Sequence, residues 1–492
     1  MGSGNRVAGR SLSTRRIGII GAGPGGLCAA IRLREFGEVT VFEKAPGVGG
    51  VWWHNTYPGA ACDVPSHLYS FSFELKADWS RPYATQPEIK AYLEHVVAKY
   101  QLEPCLRLNT PVTAARWNDS ARSWTLATAA GDQHEFDVVV GAVGMFNDLV
   151  TPVIPGLDDF AGHSFHSARW DHAHDLTGER VAVVGSAASA VQFVPEIAKV
   201  VGHLDLYQRT PNWVLPKSDT PYTDAQLAEF AANADALRAE RQTVYDRLDH
   251  ALTFANKKIN AISEQMGRDN IAVVEDPETR QKLTPEYPYG CKRPLLSNEY
   301  YPTFNRPNVA LVTDTIKRVV PEGIETVDGT VRPADTLILG TGFDVTKYLS
   351  SIEVVGRDGG VLADTWRDGA HAYLGVATTG FPNLFQLYGP NTNNGSILFM
   401  LECQVDYIAR HVERMDRDGI ATVEVRQHVM DDYNTALQTD LDNVEVWAAS
   451  CNNYYRTPNG RIVTQWPHSM TEYQARTSRH DAESYVARGA TE

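Results

Sequence analysis

At 492 residues the chain is too long for a single hydrophobic core, and a prior of about 150 residues per domain suggests roughly three units. Its 43% hydrophobic and 21% charged residues exclude a chain that is disordered as a whole. The 45 basic and 60 acidic residues give a net charge of −15, which argues against nucleic acid and anionic lipid surfaces as partners.

The cysteines and the apolar runs bear on where in the cell the protein is expected. The six cysteines are scattered without a CxxC pair, so we expect neither a metal site nor a local redox dithiol, and we predict a cytoplasmic protein. No apolar run reaches the roughly 20 residues that would span a membrane. Residues 1–15 are rich in Gly, Ser and Arg and are predicted to be a disordered tail.

Two segments of the chain follow the same order of predicted elements. Residues 16–20 predict a buried parallel strand, which is followed by a glycine cluster, a helix over 27–36 and a strand over 39–43. The order recurs as a strand over 181–184, a small-residue turn, a helix over 191–200 and a strand over 204–207. Two such βαβ units predict two nucleotide sites.

The rest of the chain divides around a helical segment. Residues 224–266 are polar and rich in Ala, which predicts helices inserted as a cap. Strands are predicted over 309–312 and 336–339, and an amphipathic helix over 397–415.

The first glycine cluster fits a dinucleotide fingerprint. Gly21, Gly23 and Gly26 follow a strand and precede a helix, and Glu43 closes the next strand where a ribose-binding carboxylate is expected. Such a turn lets backbone N–H groups at a helix N-terminus approach a pyrophosphate. A chance glycine turn is the alternative, but strand, helix and acid in register favour a dinucleotide.

The second cluster predicts a different nucleotide. Ala187 and Ala190 stand where the fingerprint has glycines, and Arg209 stands where an NAD site has an acid. A guanidinium there suits the 2′-phosphate of NADP, although a solvated surface arginine is the alternative. Two different sites predict a flavoprotein with FAD bound first and NADPH second. The residues assigned to the NADP site are Gly185, Ser186, Ser189, Arg209 and Thr210.

The predicted fold class is therefore α/β, with two Rossmann-like dinucleotide-binding domains and a helical insertion. We predict a first FAD part over 16–150 and a first NADP part over 151–215. The insertion follows over 216–287, the second NADP part over 288–344, and the second FAD part with substrate-pocket segments over 345–492.

A longer motif lies just before the second unit. Residues 160–171 fit FxGxxxHxxxW[PD], with His166 at the histidine and Trp170 followed by Asp171 at the end. This pattern resembles the fingerprint of type I Baeyer–Villiger monooxygenases. Gly50 to Trp52, Tyr57 to Gly59 and Asp63 resemble a further pattern of that family, and the resemblance runs from Ile17 to the region of Trp466.

The resemblance implies a reaction. NADPH reduces the FAD, O₂ forms a flavin C4a-peroxide, and the peroxide anion attacks a ketone, so that an ester or lactone results. The small-molecule partners implied are a ketone and O₂, and the oligomeric state is open. A cation beside the flavin would keep the peroxide anionic.

The family's catalytic arginine corresponds to Arg293, with Lys292 toward the NADP phosphate. Asp63 resembles the active-site aspartate that orients this arginine. The alternatives are a basic pair in a loop and a turn-capping aspartate. By the same resemblance Trp52 and Tyr69 line the flavin, and for these two aromatic residues a core position is the alternative. Val112 is also assigned to the cofactor site.

Other motif residues are expected to be structural. In the family the fingerprint histidine, here His166, lies in a linker between nucleotide domains, so we favour a conformational role over a general base. Residues 340–344 resemble the crossing back to the FAD domain, and residues 389–391 open the helix that begins near Ile397. Ala61 departs from the family, since many relatives have an arginine there, which puts a local charge partner in doubt.

Three other functions compete with this one. A flavin monooxygenase that oxidises nitrogen or sulfur needs no arginine to hold a peroxide anion, so Arg293 and Trp170-Asp171 count against it. A disulfide reductase needs paired cysteines near the flavin, and a flavoprotein without turnover would not need Asp63 with Arg293. Aromatic residues on candidate pocket segments hint at a lipophilic cyclic or aryl ketone, although aromatics also fill cores: Trp213, Tyr287, Tyr289 and Tyr454.

Overall fold

A computed structural model describes residues 15–448 and 453–489. The predicted tail therefore lies outside the described residues, except for Arg15. The Arg15 guanidinium donates to Asp416 at 2.8 Å, so the described chain begins in contact with the folded body.

The described residues form an α/β protein. The strands are β1 Arg16–Ile20, β2 Glu38–Phe42, β3 Leu106–Arg107, β4 Val112–Asn118, β5 Ser123–Thr128, β6 Gln133–Phe136, β7 Val138–Gly141, β8 His163–His166, β9 Arg180–Val184, β10 His203–Tyr207, β11 Val214–Leu215, β12 Leu295–Leu296, β13 Val309–Val312, β14 Ile316–Val320, β15 Gly323–Thr326, β16 Val331–Pro333, β17 Thr336–Leu339, β18 Glu353–Val355, β19 Leu384–Gln386, β20 Ile420–Val425 and β21 Tyr485–Gly489. The α-helices are α1 Pro24–Leu33, α2 Val51–His54, α3 Gln86–Lys99, α4 Ala188–Ile197, α5 Asp224–Ala232, α6 Ala234–Asp249, α7 Lys257–Ile271, α8 Pro277–Leu283, α9 Tyr300–Thr303, α10 Leu362–Thr365, α11 Ile397–Arg417, α12 Gln427–Asp442, α13 Glu445–Ala448 and α14 Met470–Thr477.

Two parallel sheets of five strands organise the molecule. The first has the order β19-β7-β1-β2-β3 and the second β13-β10-β9-β17-β8, and every pairing in both is parallel. Strand β1 is buried from Ile17 to Ile20 because other elements cover both faces of the sheet. The predicted α/β class and the strands at the centre of each sheet are confirmed.

Smaller sheets, which the sequence analysis did not predict, are separate from the two parallel sheets. Strands β4, β5 and β6 form a meander that β18 joins, and β14 to β16 form another. The fully buried Trp124 on β5 donates its indole N–H to the Pro382 carbonyl at 2.7 Å. This bond ties the meander to the segment that leads into β19.

The predicted helical insertion is present as α5, α6, α7 and α8. Thr223 and Gln226 form a capping box at the start of α5, which fixes where the first helix begins. The domain boundaries proposed from the sequence stay a prediction. None of the helices in the described residues is long and apolar enough to cross a membrane, and no group of His, Cys, Asp and Glu within the same residues could hold a metal ion.

One arginine attaches the insertion to the segment before α3. The Arg241 guanidinium on α6 donates to the carbonyls of His67 and Ser70 at 2.8 and 2.9 Å, and to Leu68 at 3.4 Å. Burial lowers the pKa of Arg241, so the three carbonyls must compensate for lost hydration of its charge. The attached segment also carries Tyr69.

We expect Arg241→Met to destabilise the protein because the methionine keeps the packing of the aliphatic stem but leaves the three carbonyls without their donor. The free energy of unfolding should fall by about 2 kcal/mol, which is measured as a lower thermal midpoint. Arg238→Met is the control, since Arg238 lies on the same helix in an exposed pair with Asp235. Equal midpoints for the two variants would contradict the anchoring role.

Candidate active site

A cavity of about 1400 Å³ is bordered by the carboxyl ends of strands from both parallel sheets. Parallel sheets bind ligands at this edge, where the loops after the strands converge. With the exception of Gly26, every site residue that the sequence predicts lines the cavity: Gly21, Gly23, Glu43, Trp52, Asp63, Tyr69, Val112, Gly185, Ser186, Ser189, Arg209, Thr210, Lys292 and Arg293.

The turn between β1 and α1 requires glycine for steric reasons. Gly21 has φ +107°, and a Cβ there would lie 2.5 Å from the Ala142 carbonyl oxygen. A Cβ on Gly26 would lie 1.9 Å from the Gly21 carbonyl oxygen, so Gly26 serves helix–strand packing and does not line the cavity. Gly23 caps α1 without any side-chain hydrogen bond. The N–H groups at the start of α1 therefore suit a pyrophosphate.

Glu43 closes β2 at the wall of the cavity. Its two carboxylate oxygens accept from the N–H groups of Ala22 and Ala45, each at 2.8 Å. These bonds fix the side chain beside the glycine turn, and each oxygen keeps a second lone pair for a ribose hydroxyl. The donor set fits the ribose role.

Trp52 and Tyr69 form one unit in the cavity wall. The Trp52 indole N–H donates to the Tyr69 hydroxyl at 3.1 Å, and the rings pack edge to face. Burial raises the pKa of Tyr69 well above its usual range, so the phenol stays neutral. Val112, buried at the start of β4, adds an apolar wall. These residues give this part of the cavity wall a largely apolar surface that suits a flavin ring.

The second glycine turn repeats the first at its opening residue. Gly185 also has φ +107°, and a Cβ there would lie 2.4 Å from the Gly340 carbonyl oxygen. Ala187 precedes α4 with an extended backbone at φ −90°, which any residue adopts. The alanines of this motif are therefore compatible with the turn, and the N-terminus of α4 is left without a side-chain cap.

Two cations line the cavity beside this second turn, Lys292 and Arg209. Burial lowers the pKa of Lys292, and the charge of Arg209 lowers it further. Within the described ranges, neither side chain has a carboxylate partner. The Lys292 ammonium lies over the Tyr287 ring, 4.9 Å from its centre. Two adjacent cations without a counter-ion suit a phosphate dianion.

Arg293 and Asp63 meet inside the cavity. Both Nε and Nη2 of Arg293 donate to one oxygen of Asp63, at 2.9 and 2.7 Å. The carboxylate raises the pKa of Arg293 well above its usual range, so the guanidinium is always charged. About a third of each side chain is accessible, 31% and 34%, and both residues line the cavity. The pair presents a fixed cation to whatever the cavity holds.

Tyrosines that the sequence did not assign to the site surround this pair. Tyr388 lines the cavity and donates its hydroxyl to Asn393 at 2.8 Å. Tyr454, which the sequence listed only as a pocket candidate, lies on the cavity beside Arg293, and burial raises its pKa. Nothing in the local sequence distinguishes Tyr388 from a core tyrosine.

Three of the four aromatic pocket candidates do not line the cavity, so that suggestion is wrong for them. Trp213 is buried and donates its indole N–H to the Tyr287 carbonyl at 3.0 Å. Tyr287 in turn donates its hydroxyl to Pro211 at 2.8 Å, and Tyr289 packs against Phe254. Their side chains hold the insertion against the second sheet.

Cys291, next to Lys292 in the chain, is disulfide-bonded although the sequence has no CxxC pair. Cys291 is completely buried and does not line the cavity, so its sulfur is not placed to exchange electrons there. The cytoplasmic location stays a prediction.

His166 lies at the end of β8 and does not line the cavity. Its Nδ1 accepts from the Ala168 N–H at 3.1 Å, and its ring packs near Phe343. Burial lowers the pKa of His166. A neutral histidine that caps the turn after β8 supports a structural role over a general base.

Comparisons with known proteins agree with this geometry. The model of the pyridine nucleotide-disulphide oxidoreductase family matches residues 18–266. A Baeyer–Villiger monooxygenase of Pseudomonas aeruginosa is 42% identical over 479 residues, which cover 96% of this chain and 91% of that protein.

Solved structures with the same fold cover the chain almost completely. A closed crystal structure of cyclohexanone monooxygenase has a TM-score of 0.88 at 30% identity and covers 98% of this chain and 100% of its own. A structure of OTEMO with FAD and NADP has a TM-score of 0.85 at 28% identity and covers 97% and 100%. With the paired glycine turns and the Asp63–Arg293 pair, these similarities show that the chain belongs to the Baeyer–Villiger monooxygenase family.

Proposed function

We propose that this protein converts a ketone, O₂, NADPH and a proton into an ester or lactone, NADP⁺ and water. The observation that carries the proposal is the Asp63–Arg293 pair, which faces a cavity shared by two different dinucleotide motifs. Oxidation of nitrogen or sulfur does not need a fixed cation to hold a peroxide anion.

The two motifs divide the cofactors between them. FAD fits the first turn, where glycine leaves room for a pyrophosphate, and NADPH fits the second, where Arg209 and Lys292 suit the 2′-phosphate. The residues proposed for FAD are Gly21, Gly23, Gly26, Glu43, Trp52, Asp63, Tyr69 and Val112, and those for NADPH are Gly185, Ser186, Ser189, Arg209, Thr210 and Lys292.

When bound and reduced, FAD supplies the activated oxygen from O₂. Arg293 is proposed to orient the ketone and to stabilise negative charge that develops on its carbonyl oxygen, because Asp63 occupies only the Nε and one Nη2 proton of the guanidinium. The Tyr454 hydroxyl also interacts with the guanidinium, and the N–H groups that neither partner uses are the proposed donors to the ketone. Its high pKa means that Arg293 gives up no proton in the reaction.

Asp63 is proposed to fix the direction of the guanidinium. Two bonds to one oxygen hold Arg293 through its Nε edge, so the opposite edge is presented to the substrate. Tyr69, Tyr388 and Tyr454 supply neutral phenols around the same space. A site with one fixed cation and polar rings suits a neutral carbonyl compound.

We expect Arg293→Ala to abolish ester and lactone formation, with a loss of at least about 10²-fold in turnover. The test is gas chromatography–mass spectrometry of cyclic, linear and aryl ketones plus one sulfide, incubated with protein, FAD, NADPH and O₂. Arg306→Ala, an exposed arginine in the second sheet region, is the control. Sulfoxide as the sole product, undiminished in Arg293→Ala, would move the assignment to the heteroatom oxidation.

We expect Asp63→Asn to keep the fold and FAD but to lower ester formation by roughly 10-fold to 100-fold, since the neutral amide holds the guanidinium less firmly. The measurement is ester formed per NADPH consumed, with hydrogen peroxide as the competing product. A full yield of ester in this variant would show that Asp63 does not orient Arg293.

We expect Arg209→Gln to raise the KM for NADPH by about 10-fold and to leave the KM for NADH unchanged, because only NADPH carries the 2′-phosphate. Initial rates with both coenzymes measure the ratio. Arg306→Gln makes the same chemical change on the surface and should leave both values unchanged. If the two KM values rise together in Arg209→Gln, the phosphate contact is not at this residue.

A further inference from the structure

A glutamine on α4 joins the two halves of the cavity by hydrogen bonds. Gln192 Oε1 accepts from the Tyr57 hydroxyl at 3.0 Å and from the Ala61 N–H at 3.4 Å. Its Nε2 donates to the Ala61 carbonyl at 2.9 Å. One side-chain amide therefore holds both the N–H and the C=O of residue 61, as a neighbouring strand would.

The bound segment also packs closely on α4. A Cβ on Gly59 would lie 2.7 Å from the Gln192 carbonyl oxygen, and Gly59 has φ +77°, so glycine is required on both counts. The Tyr57 ring packs edge to face on Phe193. The segment from Tyr57 to Ala61 is therefore packed tightly against α4.

The other end of this connection is the catalytic pair. Ala61 forms a bridge with Thr85, and the next residue, Cys62, donates its N–H to Ala84 at 3.0 Å. Asp63 follows directly and holds Arg293. Ala61 is therefore held by Gln192 on one side and by Thr85 on the other, and only Cys62 separates it from Asp63.

The near end is the proposed NADP site. Gln192 follows Ser189 by one turn on α4, and the Tyr57 hydroxyl lies within reach of Ser189 as well as Gln192. The helix N-terminus is where the NADP phosphates are proposed to bind. The Gln192 side chain therefore lies between the proposed NADP site and the segment that carries Asp63.

We propose that Gln192 is a positioning residue that couples NADP binding at the N-terminus of α4 to the placement of Asp63 and Arg293. The inference rests on the proposed function for the identity of the ligand. Ala61 contributes only backbone groups, so the connection does not need the arginine that many relatives have at this position.

The test compares the FAD-bound protein with Gln192→Met, which keeps the length of the side chain and removes both hydrogen-bonding groups. Hydrogen–deuterium exchange is measured with and without NADP⁺. In the unaltered protein NADP⁺ should slow exchange at residues 57–63 by about tenfold, as well as at residues 185–192. In Gln192→Met the protection at 185–192 should remain, and the protection at 57–63 should be lost.

Turnover gives a second readout. Gln192→Met should bind NADP⁺ within about threefold of the unaltered affinity but should divert most NADPH consumption to hydrogen peroxide. Tyr57→Phe removes a single hydroxyl and should show a smaller change in the same direction. Gln265→Met is the control, because the Gln265 side chain on α7 donates to its neighbour Asp269 on an exposed helix face.

The outcomes separate the two proposals. No protection at 185–192 in the unaltered protein would overturn the NADP site itself. Protection at 185–192 without protection at 57–63 would overturn the coupling and leave the NADP site standing. Protection at 57–63 that survives in both Gln192→Met and Tyr57→Phe would show that packing, not this amide, carries the coupling.

Discussion

The Arg293 guanidinium must stay charged inside a cavity while part of its N–H edge stays free of its counter-ion, Asp63. The rest of the structure depends on this requirement. Arg293 lies in the segment between α8 and β12, and Asp63 lies in the loop before α3. The ion pair uses the Nε edge and a single carboxylate oxygen, so the guanidinium is held but not covered. A buried cation without such a partner would cost several kcal/mol. Because Asp63 and Arg293 come from segments far apart in the chain, the ion pair forms only when the fold holds these two segments together.

The two glycine turns show why a common fold can serve two nucleotides. Gly21 and Gly185 share the same φ of +107°, and in each case a carbonyl of a neighbouring strand end excludes a side chain. The backbone requirement is thus identical at both sites, and the difference lies in the side chains beyond. The first site has Glu43, whose oxygens are fixed by backbone N–H groups, and the second has Arg209 with Lys292.

Local rules explain which features could be predicted from the sequence. The central strands, the helical insertion and the glycine turns depend on patterns within about twenty residues, so they were predictable. The antiparallel meanders were not, because their short strands alternate weakly and depend on packing such as that of Trp124. Trp213 and Tyr454 were indistinguishable in the sequence, and only the fold puts one in the core and the other on the cavity. No local spacing such as CxxC marks the disulfide at Cys291.

Gln192 illustrates a further limit of sequence reasoning. Ala61 looks like a lost charge partner when it is compared with the family pattern, yet its side chain has no part in the connection that passes through it. The backbone of residue 61 is held by a side-chain amide whose N–H and C=O pair with the C=O and N–H of that single residue. A glutamine provides this match and an arginine at position 61 is not needed for it. The position of Asp63 therefore depends on hydrogen-bond geometry at the junction of the two halves more than on charge at residue 61.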